Sequence, residues 1–171
     1  MAKRKEPAIV WHEDGLIKIL PINSEMVYFT DYTDEMYQLL SGVRWKVDRG
    51  YLCGYVNGRN VYLHHLVLPR EKSKLTDHIN RKRNDNRGCN LRNVTPTENR
   101  FNCGLSKANT SGYKGVSWNI KNKSWMASLR VNGRSKNLGY FQNPQEAHEV
   151  FLEAAEKYYP GILYQENISL N

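Results

Sequence analysis

A chain of 171 residues, 40% hydrophobic and 25% charged, has the composition of one folded domain or two small ones, which excludes a disordered segment. No apolar run approaches the roughly 20 residues of a membrane helix, so no membrane partner is expected. The net charge of +8 points to a polyanion instead.

That charge is unevenly spread. Residues 1–69 hold eight Lys/Arg and eight Asp/Glu, residues 70–107 hold ten against four, and residues 108–171 hold seven against five. The excess sits mid-chain, where a polyanion would be gripped, although a basic surface serving solubility alone carries the same signature. Cys53, Cys89 and Cys103 form neither a disulfide ladder nor a CxxC zinc knuckle. They read as idle thiols of a reducing compartment. Met1-Ala2-Lys3-Arg4-Lys5-Glu6 lacks the apolar stretch of a secretory signal, so a cytoplasmic location is expected.

The predicted fold class is α+β. Region 1–63 reads as a strand-rich platform. Strands are predicted at 16–20, 26–29, 44–47 and 51–56, with a helical pattern over 31–40. Asn57-Gly58 turns the chain back into a strand at 61–63. His64-His65-Leu66-Val67-Leu68 opens the next region, 64–102, as a short helical turn. Seven Asn fall within residues 80–102, and Asn favours turns because its side chain bonds local backbone and tolerates left-handed dihedrals. Residues 80–90 therefore read as a long ordered loop. A strand over 91–94 follows, and then Thr95-Pro96-Thr97-Glu98, a helix start with Thr as N-cap and Pro in first position. Residues 103–112 read as a linker.

Region 113–160 reads as three antiparallel strands (113–118, 125–131, 135–141) and a helix opened by Asn143-Pro144-Gln145-Glu146. Ala147, Val150, Phe151, Ala154, Ala155 and Tyr158 form the helix's apolar stripe. Residues 113–141 carry six Lys/Arg and no acid, whereas 143–157 carry four Glu and one Lys. The uncovered sheet face is expected to be positive, as a one-sided reader of a polyanion would be. Trp118 and Trp125 are expected to pack toward the helix, with stacking on sugars or bases as the alternative. Residues 161–171 are a tail.

The residues that carry chemistry are Asp77-His78, Asn90 and Asn99. Phosphodiester hydrolysis needs a water deprotonated near neutral pH, stabilisation of the phosphorane charge and neutralisation of the leaving oxygen. Histidine is a usable base there. Asp and Asn oxygens suit Mg²⁺, which keeps waters and takes phosphate oxygens. Successive strand residues point to opposite faces, so the pair requires a strand end near Ile79-Asn80. Arg81, Lys82, Arg83 and Arg87 on the loop are candidates for phosphate contact.

Residues 77–102, and more loosely 44–102, resemble the HNH homing endonucleases and their ββα-metal motif. Tyr62-Leu63-His64-His65-Leu66-Val67, Asp77-His78-Ile79-Asn80, Asn84-Asp85-Asn86-Arg87, Asn90-Leu91-Arg92, Val94-Thr95 and Glu98-Asn99 carry the likeness. The resemblance implies that His78 is the general base, that Asp77 and Asn99 hold a single Mg²⁺ or Mn²⁺, and that Asn90 orients His78 through its other ring nitrogen. His64 is expected to be structural beneath the site. Residues 110–160 resemble the ethylene-response-factor (APETALA) type of DNA-binding domain, through Ser111-Gly112-Tyr113-Lys114-Gly115-Val116, Trp125-Met126-Ala127, Leu138-Gly139-Tyr140-Phe141 and Glu146-Ala147. That resemblance implies a sheet lying in the major groove. Matching contact positions are Lys114, Ser117, Asn119, Ser128, Arg130, Ser135 and Asn137, and Lys136 is a further DNA-binding candidate.

Together these imply a site-specific DNA endonuclease of phage or mobile-element origin acting in a bacterial host, with double-stranded DNA as partner and no organic cofactor. A non-catalytic DNA-binding regulator and a nonspecific nuclease are the alternatives. Monomer or homodimer, and nicking or double-strand cleavage, stay open.

Overall fold

The structure is a computed structural model that describes residues 8–163. The amino-terminal segment 1–7 and the tail from residue 164 lie outside the described residues. The fold is α+β, with strands in four small antiparallel sheets, and the chain divides into two compact units, Met1–Thr95 and Pro96–Asn171. Among the described residues no helix is long and apolar enough to cross a membrane.

The first unit opens with a meander of β1 (Ile9–Glu13), β2 (Leu16–Leu20) and β3 (Tyr28–Asp31). Strand alternation sends Ile17 and Ile19 of β2 inward, both fully buried. Helix α1 (Asp34–Ser41) starts where Thr33 accepts a hydrogen bond from the Met36 N–H at 3.1 Å, capping an otherwise orphan donor. A second meander follows: β4 (Lys46–Asp48), β5 (Tyr51–Val56) and β6 (Arg59–Tyr62). Asn57 and Gly58 both adopt positive φ between β5 and β6, the two-residue hairpin turn that this dipeptide favours. Both meanders and α1 share one core, in which Ile17, Ile19, Tyr28, Leu40, Trp45, Leu52, Val56 and Leu63 are buried. Trp45 is fully buried, and its indole N–H donates to the Leu40 carbonyl at 3.0 Å.

Helix α2 (Leu63–Val67) leaves β6 directly, with Leu63 in the core and His64 buried beside it. The strand pair β7 (Leu75–His78) and β8 (Leu91–Val94) completes the unit, its two strands joined by the Asn-rich segment.

The second unit holds α3 (Pro96–Asn102), the sheet of β9 (Val116–Asn119), β10 (Ser124–Val131) and β11 (Arg134–Phe141), and α4 (Pro144–Tyr158). Strand β10 is central. Asn143 caps α4 by accepting from the Gln145 N–H at 2.8 Å, with Pro144 in the first turn. Ala147, Phe151 and Ala155 bury the expected stripe on the sheet. Gly115 makes this close approach possible, because a Cβ there would lie 2.0 Å from the Phe151 ring.

Helix α3 belongs to this second unit and not to the region 64–102. The reason is Phe101, buried with its ring centroid 6.1 Å from Phe151 and 5.0 Å from Tyr159. Lys114 reinforces the packing by donating to the carbonyls of Phe101, at 2.8 Å, and Cys103 at the end of α3.

Candidate functional site

Asp77 and His78 end β7 and are both buried, at 8% and 5% exposure. Antiparallel register sets Asp77 opposite Arg92, so the two share a face, and Arg92 Nε donates to Asp77 Oδ2 at 3.0 Å. Alternation turns His78 the other way, toward Tyr51 and His64, whose ring centroids lie 6.0 and 5.4 Å away. The strand stops here because Arg81 takes a positive φ of 60° and the Arg81 N–H closes a turn onto the His78 carbonyl at 2.9 Å.

His78 Nε2 lies 3.2 Å from Asn86 Oδ1. The amide orientation is dictated on its other side, where Asn86 Nδ2 donates to the Asn84 carbonyl at 3.2 Å and faces that of Arg83 at 3.5 Å. An amide nitrogen satisfied by carbonyls turns its oxygen to the ring, so His78 Nε2 must carry the proton. The neutral ring then has Nδ1 as its proton acceptor. Burial lowers the His78 pKa, and this outweighs the opposing pull of Asn86, Asp77 and Asp85. The imidazole is therefore a neutral base at neutral pH.

Asn90 does different work from the orienting role implied for it. Its Oδ1 accepts from the Asn80 N–H at 2.9 Å and its Nδ2 donates to the Asp85 carbonyl at 2.8 Å, which fastens the two ends of the loop together. The amide at the His78 ring is Asn86, because the loop folds back between them.

The loop is pinned to the platform. The Phe29 N–H donates to the Asn84 carbonyl at 2.9 Å, and the Asn86 N–H donates to the Phe29 carbonyl at 2.8 Å. Asn84 Nδ2 donates to Val27, Thr30 Oγ1 to Asn86, and the Gly88 N–H to Asp31 Oδ2. Asp85 thus forms an isolated parallel bridge with Phe29 of β3. It is 2% exposed and accepts from Asn80 Nδ2, Arg87 Nε and Arg87 Nη2 at 2.7 to 2.9 Å. Burial pushes its pKa up, but the Arg87 and Asn80 hydrogen bonds prevail and the carboxyl stays below its ordinary value.

These contacts sort the loop cations. Arg87 is ion-paired with Asp85 and stacks toward Phe29 at 5.6 Å, which ties it to the loop. Arg83 lies over the Tyr51 ring at 4.5 Å and donates to the Arg49 carbonyl at 2.9 Å, which holds its guanidinium beside the His78 pocket. Arg81 and Lys82 are exposed. His64 sits among Tyr51, Tyr62, His65 and His78, with centroids 4.2 to 5.5 Å away.

Among the described residues no three His, Cys, Asp or Glu side chains converge on a metal position. Within the first unit an ion would rest instead on the Asp77 carboxylate, which it would share with Arg92. Few protein ligands, with water and phosphate completing the shell, is the chemistry that Mg²⁺ accepts. The donor types fit. Asn99 belongs to the second unit, on α3, where its backbone carbonyl accepts from the Cys103 N–H at 3.2 Å.

In the second unit, register assigns the sheet faces. Ser117, Met126 and Tyr140 lie abreast, as do Ser128 with Asn137 and Arg130 with Ser135; with Asn119 they form the face away from α4. Lys136 pairs with buried Leu129 and so lies on the helix side, where Nζ meets the Tyr158 hydroxyl. It is not a contact of the uncovered face, and Lys114 is tied to α3. Arg130 is the one Lys/Arg whose register puts it on that face, which is polar and not strongly positive. Asn137 and Asn119 also shape turns, accepting from the Gly139 and Asn122 N–H groups at 3.0 and 2.9 Å. Trp118 and Trp125 are a cross-strand pair on the helix side, centroids 5.0 Å apart, with Trp118 still 47% exposed.

Asn86, Asp85, Tyr51 and Thr30 are site residues that sequence reasoning did not single out for a role. The Asn-Asp-Asn-Arg run at 84–87 was the available signal, but nothing local says which amide reaches His78.

Over 70 residues, 41% of its length, the chain is 35% identical to Protein 3.8 of Escherichia phage T7. It spans 58% of that protein, a little over half. No family model matches the chain, and no solved structure matches it.

Proposed function

We propose that this protein is a divalent-metal-dependent DNA endonuclease of the HNH type whose second unit reads DNA. The observation that carries the reading is the His78 ring: buried, kept neutral, next in chain to a buried carboxylate, and held as one tautomer by an amide that is itself locked.

His78 Nδ1 accepts the proton of a water, and Asn86 steadies the imidazolium that results through Nε2. Asp77 would hold Mg²⁺ or Mn²⁺, which when bound supplies Lewis-acid stabilisation of the phosphate and leaving oxygen. Arg83, preset on Tyr51, with Arg81 and Lys82, attracts the scissile backbone. The uncovered face, with Ser117, Asn119, Ser128, Arg130, Ser135 and Asn137, offers hydrogen-bonding groups to bases and phosphates. A phage relative accords with a phage setting.

The test is conversion of supercoiled plasmid to nicked and linear forms in Mg²⁺, Mn²⁺ and EDTA, on a library of source-genome inserts. The expected result is metal-dependent cutting at discrete positions, reduced by about 10²- to 10⁴-fold in His78→Ala with DNA binding retained. Binding without cleavage on any insert supports a regulator instead, and cutting without positional preference supports a nonspecific nuclease.

A further inference from the structure

Strand β9 stops pairing at Val116↔Ala127, the Ser128 N–H makes one further bond to the Gly115 carbonyl at 2.9 Å, and a cleft of about 320 Å³ lies between this end of β10 and α3 inside the second unit. Its floor is apolar, made by Phe101, Leu129 and Phe151. Arg100 and Thr97 line it from α3, and Ser128, Arg130 and Ser135 border it from the sheet. No carboxylate lines it. Arg100 and Arg130 are both exposed, and among the described residues neither guanidinium is ion-paired.

Two guanidiniums without ion pairs among the described residues, in one lining with apolar and hydroxyl side chains, match a group that is anionic on one side and carbon-rich on the other. We propose that the cleft seats one sugar–phosphate of the duplex DNA backbone, with Arg100 and Arg130 on the phosphate and the phenyl floor under the deoxyribose. Arg130 thereby contacts backbone and carries no base information, and α3 becomes part of the DNA-reading surface. Lys114, which also lines the cleft, donates from its ammonium to the Phe101 carbonyl of α3 at 2.8 Å. The inference rests on the reading of the second unit as a DNA binder and adds Arg100, from outside the sheet, to its contacts.

The test measures affinity of the full chain for a mixed-sequence duplex in EDTA over a NaCl series. Arg100→Gln and Arg130→Gln are each expected to weaken binding several-fold and to flatten the slope of log K against log salt by about 1. Lys157→Gln, at the far end of acidic α4, should leave both unchanged. An Arg100→Gln protein that binds with wild-type affinity and slope overturns the cleft while leaving DNA reading intact. A loss of affinity at unchanged slope also overturns it, since no phosphate contact was removed. Failure of the wild type to bind any duplex overturns the cleft and the DNA-reading unit together.

Discussion

His64 is held far below the ordinary histidine range, to about 3, by burial first and then by the neighbouring His65 and His78. It therefore stays neutral while the unfolded chain takes up a proton below 6.5, so stability is complete above that pH and is lost as pH falls. The slope is about 1.4 kcal/mol per pH unit while the difference lasts. Chemical denaturation of His64→Phe across pH 7 to 5 should show a shallower decline than wild type, whatever its absolute stability; parallel declines would remove His64 as the cause. Asn86 makes a catalytic counterpart. In Asn86→Leu the His78 tautomer is no longer imposed, and plasmid cleavage should fall by about tenfold or more with DNA affinity unchanged.

The segment 80–90 acts as one element because Asp85 gathers its hydrogen bonds while β3 takes its backbone. Asp85→Asn keeps the shape and removes the charge, and should cost about 2 to 3 kcal/mol in a denaturant titration. Arg87 is 39% exposed, so it can turn to water and the loss falls mainly on the Asp85 side. A depressed carboxyl contributes stability above its unfolded pKa and loses it as pH falls through the folded one, so this term acts below about 4, beneath most of the His64 window.

In the second unit the comparable element is the Gly115–Phe151 contact. Gly115→Ala must place a Cβ 2.0 Å from the ring at a φ of +76°, and should destabilise by more than about 3 kcal/mol. Gly133→Ala, at a φ of +77° with nothing within 4 Å of its Cβ, should cost about 1 to 2 kcal/mol by the same melt. Equal losses would mean that backbone strain and not ring contact governs Gly115.

At the scale of the molecule, elements were legible where the pattern was local. The strands β2, β5 and β8, the hairpin turn at Asn57-Gly58 and the capped helix α4 follow from alternation, positive-φ residues and capping, all of which act within a few positions. Strand β1 was missed, since its His12 and Glu13 are polar and it pairs only with β2. The sequence by itself determined the α+β class, the concentration of charge and the placing of Asp77-His78 at a strand end. Tertiary structure alone decided which amide faces His78, that Arg87 is tied to the loop and Lys114 to α3, that Lys136 lies behind the sheet, and that α3 joins the second unit. Each of these depends on partners distant in the chain, such as Phe29 with Asn84 or Phe101 with Phe151. A side chain's charge is written in the sequence, but whether that charge reaches solvent or a neighbour depends on the packing around it.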